Sequence, residues 1–404
     1  MMQSTSIATA VKLLVATVAV GGFIGNAAAA DTTRVIVKFK DHGFSEVNKK
    51  SVVAAAKGTV KHEIFGTNAM AVEVPLSALR GLKNNPNVEY VEEDQIRHAF
   101  ALTSPSTGNP YLLGQSVPYG IKQVQADLLP DTNVGNRKVC IIDSGIDRMH
   151  EDLVGNAANM TGQYDSGTGN WYTDENSHGT HVAGTIAAVN NSGMGVVGVN
   201  SNKRLKLHIV KVFGAGGWAY SSTLSSAANQ CAAAGANVIS MSLGGPSSNA
   251  TESSTFANLA SRGVLSIAAA GNAGTTAISY PAGYSSVMMV GAVNEYKLWA
   301  SFSQYNAKME IAGPGVSVLS TVPLAVKGTK YAYFNGTSMA TPHVAAVAAL
   351  VWSYYPSCTG AQMRATLGKS AQDLGTAGRD TKFGFGLVQA RSAYDRIRTY
   401  GCGA

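Results

Sequence analysis

Three residues of the chain carry side chains that could together cleave an acyl bond, namely Asp143, His178 and Ser338. Asp143 follows the apolar run 139–142, where burial of its carboxylate is costly unless a cationic or hydrogen-bonding group meets it. His178 opens a segment in which small residues recur every four positions, so a helix there could pack closely and hold the imidazole rigidly. Ser338 precedes an Ala-rich helical segment, whose free N–H groups and dipole favour a developing negative charge.

Each of these motifs has a second interpretation when it is taken alone. Asp143 could simply make a turn, and Ser338 could be an ordinary helix cap. His181 competes with His178 for the catalytic role, but we expect it to be structural because it lies one turn further into the helix. The two histidines lack the His-Glu-x-x-His pattern, which argues against a zinc protease.

The residues around Ser338 and a fourth polar side chain suit the same chemistry. Gly336 gives the backbone freedom before the serine, and Pro342 is expected in the first helical turn, where its missing N–H is not needed. Asn272 follows another apolar run, so its amide could donate to an oxyanion, although an Asn there more commonly makes a turn. The four candidates therefore lie at the ends of separate predicted elements.

The chain order Asp, His, Ser is that of one serine-protease class and differs from the chymotrypsin and α/β-hydrolase orders. The three motifs read Asp-Ser-Gly-Ile-Asp at 143–147, His-Gly-Thr-His-Val-Ala-Gly-Thr at 178–185 and Gly-Thr-Ser-Met-Ala-Thr-Pro-His at 336–343. With these motifs the second part of the chain resembles the subtilisin-like serine proteases over nearly all its length.

The resemblance implies a role for each candidate. Ser338 would attack the peptide carbonyl, His178 would take its proton, and Asp143 would fix and stabilise the imidazole. The Asn272 side chain and the Ser338 backbone N–H would hold the oxyanion. Because His178 must be neutral to act as a base, activity should rise through neutral pH and persist into the alkaline range.

The resemblance also implies where a peptide substrate binds. Glycine-rich walls would form a slot for large apolar or aromatic side chains, and Ser279, where many relatives have Gly, would make its floor shallower or more polar. The segment around Trp218 resembles an edge strand to which extended peptides add by main-chain pairing. The implied substrate-binding residues are Gly217, Trp218, Ser242, Leu243, Gly244, Ala270, Gly271 and Ser279. No acidic cluster accompanies the pocket strands, which disfavours processing at basic sites.

Calcium is the cofactor that the resemblance implies. The segment 115–120, Gln-Ser-Val-Pro-Tyr-Gly, resembles the mature N-terminal segment of the family, in which the Gln is a ligand. Side chains and backbone carbonyls would complete the all-oxygen shell that Ca²⁺ prefers. The implied ligands are Gln115, Asp152, Val189, Asn191, Met194 and Val196. In the competing interpretation, Asp152 and Asn191 are surface turn residues.

The first 30 residues have the pattern of an export signal. Lys12 precedes the apolar stretch 13–24, which is too short to span a bilayer, and small residues follow up to Ala30. A membrane anchor is the alternative. We expect a secreted, extracellular product that has no membrane association after signal removal.

Export would place the four cysteines where disulfides persist. Four cysteines allow three pairings, and the sequence alone does not choose among them. We prefer Cys140–Cys231 and Cys358–Cys402, the second because both residues lie near the end of the chain.

Charge density divides the remainder into two regions. Residues 31–97 hold 19 charged side chains, whereas the 305 residues from 100 onward hold 35, and the Ser-, Pro- and Gly-containing segment 103–110 resembles a linker. The first region follows the order β-α-β-β-α-β, which predicts a small α+β ferredoxin-like domain that needs a partner surface. By resemblance, residues 31–100 form a propeptide whose tail, 91–100, lies in the active-site cleft. Self-cleavage is expected after about Phe100 or within the processing region 101–114.

The predicted catalytic domain, residues 115–404, alternates apolar strands with helices. This pattern predicts an α/β fold with a mostly parallel central sheet flanked by helices, as in subtilisins, and chemistry beyond the carboxyl ends of the strands. The net charge of +7 is spread thinly, with no basic stripe, so no nucleic-acid partner is expected.

We therefore expect a monomeric serine endopeptidase of broad specificity whose partners are its own propeptide in cis and protein or peptide substrates. A restricted processing protease and a non-catalytic subtilase-like binding protein are the alternatives. The presence of all the reacting groups argues against the non-catalytic alternative.

Overall fold

The computed structural model describes residues 31–41, 45–100, 102–103, 115–164, 167–191 and 193–404. The predicted export signal and most of the predicted processing region lie outside the described residues. Among the described residues, no helix is both long and apolar enough to cross a membrane.

The described chain opens with a four-stranded antiparallel sheet and two helices. Its elements are β1 (Thr32–Phe39), α1 (Glu46–Ala55), β2 (Thr59–Glu63), β3 (Ala69–Pro75), α2 (Leu79–Lys83) and β4 (Val88–Glu93). The strand order is β2-β3-β1-β4, and apolar side chains such as Val37, Val53 and Leu82 form a core between sheet and helices. The predicted order β-α-β-β-α-β is confirmed.

Two short strands, β5 (Ile96–Ala99) and β6 (Leu102–Thr103), connect this domain to the larger one. The other strands are β7 (Lys138–Asp143), β8 (Met160–Tyr164), β9 (Lys206–Lys211), β10 (Trp218–Tyr220), β11 (Val238–Met241), β12 (Leu243–Gly244), β13 (Leu265–Ala269), β14 (Val287–Val293), β15 (Ile311–Pro314), β16 (Val318–Thr321) and β17 (Tyr331–Asn335). The other helices are α3 (Tyr119–Gln123), α4 (His178–Ala187), α5 (Ser221–Ala233), α6 (Ala250–Ser261), α7 (Leu324–Lys327), α8 (Thr337–Tyr354), α9 (Gly360–Lys369) and α10 (Ala390–Tyr400). Short 3-10 turns lie at Leu76–Ala78, Ala126–Leu128, Val134–Asn136 and Val154–Asn159.

A seven-stranded parallel sheet, in the order β15-β14-β13-β11-β7-β9-β8, forms the centre of the larger domain. Successive residues of β7 face opposite sides: Ile141 packs in the core with α4 and α8, and Ile142 packs with α5 and α6. Because helices cover both faces, the strands are continuous apolar runs rather than alternating ones. The predicted α/β fold with a parallel central sheet is confirmed.

The long helix α8 is buried along nearly its whole length. Sequence reasoning placed Pro342 in the first helical turn, which is wrong: the helix begins at Thr337, so Pro342 lies in the second turn. Its missing N–H leaves the Ser338 carbonyl without its intrahelical donor. The Ser242 hydroxyl donates to that carbonyl at 2.8 Å, so a neighbouring loop supplies the lost hydrogen bond.

Two disulfides tie the elements of the larger domain together. Cys140 of β7 is bonded to Cys231 of α5, and Cys358 is bonded to Cys402 near the end of the chain. These are the two pairings that sequence analysis preferred. The first joins the central sheet to a helix on one face, and the second holds the C-terminal segment beside α9.

Candidate active site

Asp143 and Asn272 lie at the same edge of the central sheet. Asp143 is the last residue of β7, and Asn272 follows β13 by three residues. Since the strands are parallel, their carboxyl ends meet at this edge, as expected for the functional edge of an α/β sheet. Asp143 is fully buried, and its Oδ1 accepts the Ser144 backbone N–H at 2.7 Å.

His178, the first residue of α4, contacts Asp143 directly. Its Nδ1 lies 2.7 Å from Asp143 Oδ1, and both side chains are buried. Because a carboxylate only accepts, Nδ1 carries the hydrogen, and neutral His178 keeps its lone pair on Nε2. That Nε2 is buried and has no hydrogen-bond partner among the described residues. Burial lowers the pKa of His178, but the Asp143 carboxylate outweighs burial, so the pKa lies above its usual value.

His181 has the opposite electrostatic environment. Its Nε2 lies 3.0 Å from the Val318 carbonyl and 3.1 Å from the Ala332 carbonyl, and its ring stacks on Phe334. Burial lowers the pKa of His181 to about 3, so the ring is neutral at physiological pH. These contacts fit a structural histidine that anchors α4 to the neighbouring strands.

Ser338 is the second residue of α8, directly after the turn made by Gly336. Gly336 has φ +147°, in the region that glycine adopts most readily, so the chain can turn sharply into the helix. The Ser338 hydroxyl is buried and donates to the Ser242 carbonyl at 2.9 Å. The same carbonyl accepts the Phe100 backbone N–H at 3.2 Å. Ser338 and the propeptide tail therefore meet at one backbone oxygen.

The Asn272 amide contacts the tail at Phe100. Its Nδ2 donates to the Phe100 carbonyl oxygen at 2.8 Å. Its Oδ1 accepts the Thr337 backbone N–H at 2.9 Å, and because that group can only donate, the amide orientation is fixed. The donor is thus held in place by the residue just before Ser338.

The tail crosses the cleft as the middle strand of a small sheet. β5 pairs antiparallel with β10 on one side and with β12 on the other. Ala99 donates its backbone N–H to the Gly217 carbonyl at 3.0 Å, and Trp218 pairs with His98. Trp218 is 47% exposed.

Strand pairing resumes beyond Phe100. β6, two residues further on, pairs antiparallel with β17, and Asn335 at the end of β17 is followed immediately by the turn into α8. The bond between Phe100 and Ala101 is therefore flanked by strand pairing on both sides, with the Asn272 amide at its carbonyl.

Gly244, one of the residues implied for the specificity pocket, lies against the Phe100 ring. A Cβ added to Gly244 would lie 2.6 Å from Cε2 of the Phe100 ring, so the absence of a side chain there makes room for the ring. Gly271 has φ +105°, and a Cβ on it would lie 1.7 Å from Gln304 Oε1. Ser279 is buried, with its Oγ 3.2 Å from the same Gln304 atom. Leu243 and Ala270 are also buried beside this region.

Two acidic side chains of the first domain cap helices of the second. Asp94 Oδ1 accepts the Ser222 backbone N–H at 3.0 Å at the start of α5. Glu92 accepts the backbone N–H groups of Ala250 and Thr251 at 2.7 Å and 2.9 Å at the start of α6. Both carboxylates lie at the positive ends of helix dipoles. The first domain therefore contacts the starts of α5 and α6 with complementary charge.

The residues implied as calcium ligands mostly lie together. Gln115 Nε2 lies 2.8 Å from the Val189 carbonyl, 3.2 Å from Asn191 Oδ1 and 3.3 Å from the Val196 carbonyl. Asp152 is buried and accepts the Asn191 amide at 2.8 Å and the Val196 backbone N–H at 2.7 Å. Burial raises the pKa of Asp152.

This oxygen-rich cluster suits a hard cation. The three oxygens named above converge on the Gln115 side-chain amide. A 180° flip of that amide would replace its nitrogen by its oxygen, which could then bind a Ca²⁺ held by the same residues. The described residues contain no group of three or more His, Cys, Asp or Glu side chains suited to a metal, so amide and backbone oxygens would supply most ligands. Met194, whose backbone carbonyl the resemblance implied as a ligand, is an exposed residue, and none of the hydrogen bonds given above involves it.

Sequence reasoning missed three residues that contact the site. Gln304 contacts Ser279, Thr337 orients Asn272, and Glu252 binds Arg97 of the tail through two oxygens. Thr337 stood inside a quoted motif, so its position beside Ser338 was a usable signal. Gln304 and Glu252 lie far along the chain from the residues that they contact, and no local pattern marks them.

Comparisons with known proteins agree with this geometry. A family model described as the subtilase family matches residues 135–386, and one described as the fervidolysin N-terminal prodomain matches residues 32–94. The chain belongs to the subtilase family. It is a subtilisin-like serine peptidase preceded by an inhibitory prodomain, which confirms the enzyme class that the motifs predicted.

Individual relatives cover most of this protease. Subtilisin amylosacchariticus from Bacillus subtilis subsp. amylosacchariticus is 39% identical over 94% of this chain and 96% of its own length. Subtilisin BL from Lederbergia lenta is 44% identical over 69% of this chain and 99% of its own. A solved structure is that of the psychrophilic subtilisin-like protease Apa1 from the Antarctic psychrotroph Pseudoalteromonas sp. AS-11. It matches with a TM-score of 0.68 and 35% sequence identity, over 72% of this chain and 100% of its own.

Proposed function

We propose that this protease is a secreted endopeptidase that uses Asp143, His178 and Ser338 with the Asn272 amide, and that it cleaves its own precursor after Phe100. The observation that carries the proposal is the 2.8 Å hydrogen bond from Asn272 Nδ2 to the Phe100 carbonyl oxygen. An amide donor on the carbonyl of a strand-bound peptide is what stabilisation of a tetrahedral oxyanion requires.

The proposed reaction follows from the hydrogen bonds of the site. The Ser338 hydroxyl leaves the Ser242 carbonyl by rotation about its Cα–Cβ bond and gives its proton to Nε2 of His178. Its oxygen bonds to the Phe100 carbonyl carbon, and the Asn272 amide stabilises the negative charge that forms. His178 then returns the proton to the leaving nitrogen of Ala101, and the C–N bond breaks. Water then gives a proton to Nε2 of His178 and bonds to the acyl carbon, and the bond from that carbon to the Ser338 oxygen breaks as His178 returns the proton to that oxygen.

We propose broad specificity with a preference for large apolar residues before the scissile bond. The pairing of β5 with β10 and β12 uses backbone groups, which every peptide offers. Gly244 leaves space for an aromatic ring, and the buried pair Ser279 and Gln304 makes part of the pocket polar. The substrate-binding roles of Gly217, Trp218, Ser242, Leu243, Gly244, Ala270, Gly271 and Ser279 belong to this proposal.

We also propose the division of the precursor into a signal peptide at 1–30, a propeptide at 31–100, a processing region at 101–114 and a catalytic domain at 115–404. The two disulfides support an oxidising, extracellular destination. Ca²⁺ held by Gln115, Asp152, Asn191 and backbone carbonyls would neutralise the buried Asp152 and tie the loop to the segment after the processing region.

The proposal is tested by expressing the precursor, its Ser338→Ala variant and a Ser261→Ala control, whose serine is exposed. The precursor and the control should shorten themselves to the same product and then digest an unfolded protein. The Ser338→Ala variant should keep its full mass after signal removal. Shortening of a purified Ser338→Ala variant would contradict the proposal.

A further inference from the structure

Arg97 of the propeptide tail is buried completely in the catalytic domain. Among the described residues, it is the largest of the side chains that are less than 2% exposed. It is also the fourth residue before the proposed scissile bond, because Phe100 is the first and β5 runs without a break between them. A buried guanidinium is stable only when charged and polar partners replace its hydration.

Glu252 of α6 supplies that partner. Arg97 Nε donates to Glu252 Oε1 at 3.0 Å and Nη2 donates to Oε2 at 2.7 Å, which is the two-pronged geometry that a guanidinium makes with a carboxylate. Nη2 also donates to the Ser247 carbonyl at 2.9 Å, and Nη1 donates to the Ile96 carbonyl at 3.0 Å. Arg97 therefore has a partner at each of its three nitrogens.

The Glu252 carboxylate is built into the catalytic domain independently of Arg97. With Arg97 in place the Glu252 side chain is fully buried, and its Oε2 also accepts the Tyr284 hydroxyl of the catalytic domain at 2.7 Å. Tyr284 is positioned in turn by the Asn249 backbone N–H at 3.0 Å. Glu252 also lies in the first turn of α6, where the helix dipole favours negative charge. When the propeptide leaves, this carboxylate stays behind.

Any extended peptide that pairs with β10 and β12 as the tail does will present its fourth upstream residue to the same pocket. We propose that Glu252 is a specificity-determining residue that selects substrates carrying arginine at this position, with a large apolar residue at the scissile bond. This inference rests on the proposed endopeptidase function and names a substrate class for it.

The pocket should discriminate among substrates because a side chain other than arginine leaves the Glu252 carboxylate without its full set of hydrogen bonds. An apolar residue would cover Glu252 without giving it a hydrogen bond, and a neutral polar residue would leave its charge uncompensated. Lysine supplies one charge but not the planar fork, so it should rank below arginine. Sequence analysis found no acidic cluster near the pocket strands because Glu252 lies on the helix that follows them.

The test compares peptides that differ only at this position. The parent peptide is Gln-Ile-Arg-His-Ala-Phe-Ala-Leu-Thr, residues 95–103 of the chain, and its arginine is replaced by lysine, citrulline or methionine. Citrulline keeps the length and planarity of arginine but removes the charge. With the unaltered processed enzyme, kcat/KM should be at least about tenfold higher for arginine than for citrulline or methionine, corresponding to a loss of about one charged hydrogen-bonded contact.

Two variants then assign the preference to Glu252. The first variant combines Glu252→Gln with Arg97→Gln, so that an uncharged pair replaces the ion pair in the precursor. In this variant the kcat/KM ratio of the arginine peptide to the citrulline peptide should fall to about threefold or less. The control Glu295→Gln, at an exposed glutamate, should retain it in full.

The possible failures are distinguishable. If the processed enzyme cleaves all four peptides after Phe with kcat/KM values within about twofold, the proposed function stands and the inference is overturned. Retention of the arginine preference in the Glu252→Gln enzyme also overturns it. If no peptide is cleaved, or if cleavage survives Ser338→Ala, the proposed function fails and the inference fails with it.

Discussion

At the residue scale, hydrogen-bond partners fix the orientation of the His178 ring and of the Asn272 amide. Nδ1 of His178 must donate to the buried Asp143 carboxylate, so its Nε2 is the basic nitrogen. The Asn272 oxygen faces a backbone N–H, so its Nδ2 must face the Phe100 carbonyl. Preorganised donors of this kind act without reorientation when charge develops.

Removal of the Asn272 donor should therefore slow chemistry more than binding. In Asn272→Ala, kcat should fall by about 100- to 1000-fold while KM changes little, because the lost hydrogen bond strengthens only as the oxyanion forms. Steady-state kinetics on a peptide substrate measure both constants, and Asn258→Ala, at an exposed asparagine of α6, is the control. A loss confined to KM would contradict the oxyanion role.

The pH dependence should follow His178. Its raised pKa means that the protonated ring, which cannot accept the Ser338 proton, persists to a higher pH than an ordinary histidine would. The acidic limb of the kcat/KM profile should therefore have its midpoint above 6.5, with activity retained into the alkaline range. His181, with a pKa of about 3, should not contribute in this range. A flat profile between about pH 5 and 9 would exclude His178 as the base.

Sequence motifs predicted the residues that carry the proposed chemistry but not those that shape the pocket around them. Asp143, His178 and Ser338 stand in local patterns that mark strand ends and helix starts. Glu252 lies three residues after Asn249, a spacing that is typical of helix capping. Its contact with Arg97 depends on the fold and is not indicated by that spacing. Such contacts depend on how α6 lies against the cleft, which no local pattern encodes.

At the element scale, the first domain docks by capping two helices of the second. Asp94 receives donors from the start of α5, and Glu92 receives donors from the start of α6. Isolated domains of this size bury little apolar surface, so a complementary surface contributes much of their stability.

Removal of one cap should destabilise the uncleaved precursor. In a Ser338→Ala background, which prevents self-digestion in the proposed mechanism, Asp94→Ala should lower the free energy of unfolding of the first domain by about 1–2 kcal/mol. Urea unfolding followed by circular dichroism measures this change. Glu93→Ala, at the exposed neighbour, should have an effect of less than about 0.5 kcal/mol. Equal effects of the two substitutions would contradict specific capping.

The stability of the two loops that carry Asp152 and Asn191 should depend on calcium. In the Ser338→Ala background, chelation should lower the free energy of unfolding by about 2–3 kcal/mol relative to Ca²⁺ at about 100 times its Kd. Asp152→Asn should remove most of this calcium-dependent difference, whereas the exposed control Asp127→Asn should keep it. Calorimetric unfolding with and without chelator measures the shift. If chelation leaves the thermal unfolding transition of the Asp127→Asn control unchanged, a stabilising calcium site is excluded.

At the scale of the whole molecule, periodicity in the sequence predicted the fold class of both domains. Apolar runs too short for helices, separated by small-residue helical segments, predicted a parallel sheet buried on both faces. The predicted position of Pro342 was wrong because α8 begins at Thr337, directly after the turn at Gly336, and the missing hydrogen bond is replaced by Ser242 from another element. Helix boundaries are set by such tertiary contacts.

The architecture also explains how one chain can contain both the protease and its inhibitor. β5 fills the cleft between β10 and β12, and β6 continues on the far side against β17. In the proposed mechanism, the tail occupies the place of a substrate on both sides of the bond after Phe100. In the proposed mechanism, a single cut at that bond frees the tail from the strand that follows it, and the propeptide can then dissociate.

The position of that first cut tests the account most directly. In Asn272→Ala, slowed chemistry should allow the primary product to accumulate before further trimming, so early time points can be resolved by mass spectrometry and N-terminal sequencing. The first products should be a propeptide fragment that ends at Phe100 and a catalytic fragment that begins Ala-Leu-Thr. A first cut elsewhere, with the bond after Phe100 still intact, would contradict self-cleavage at the bond that Asn272 contacts.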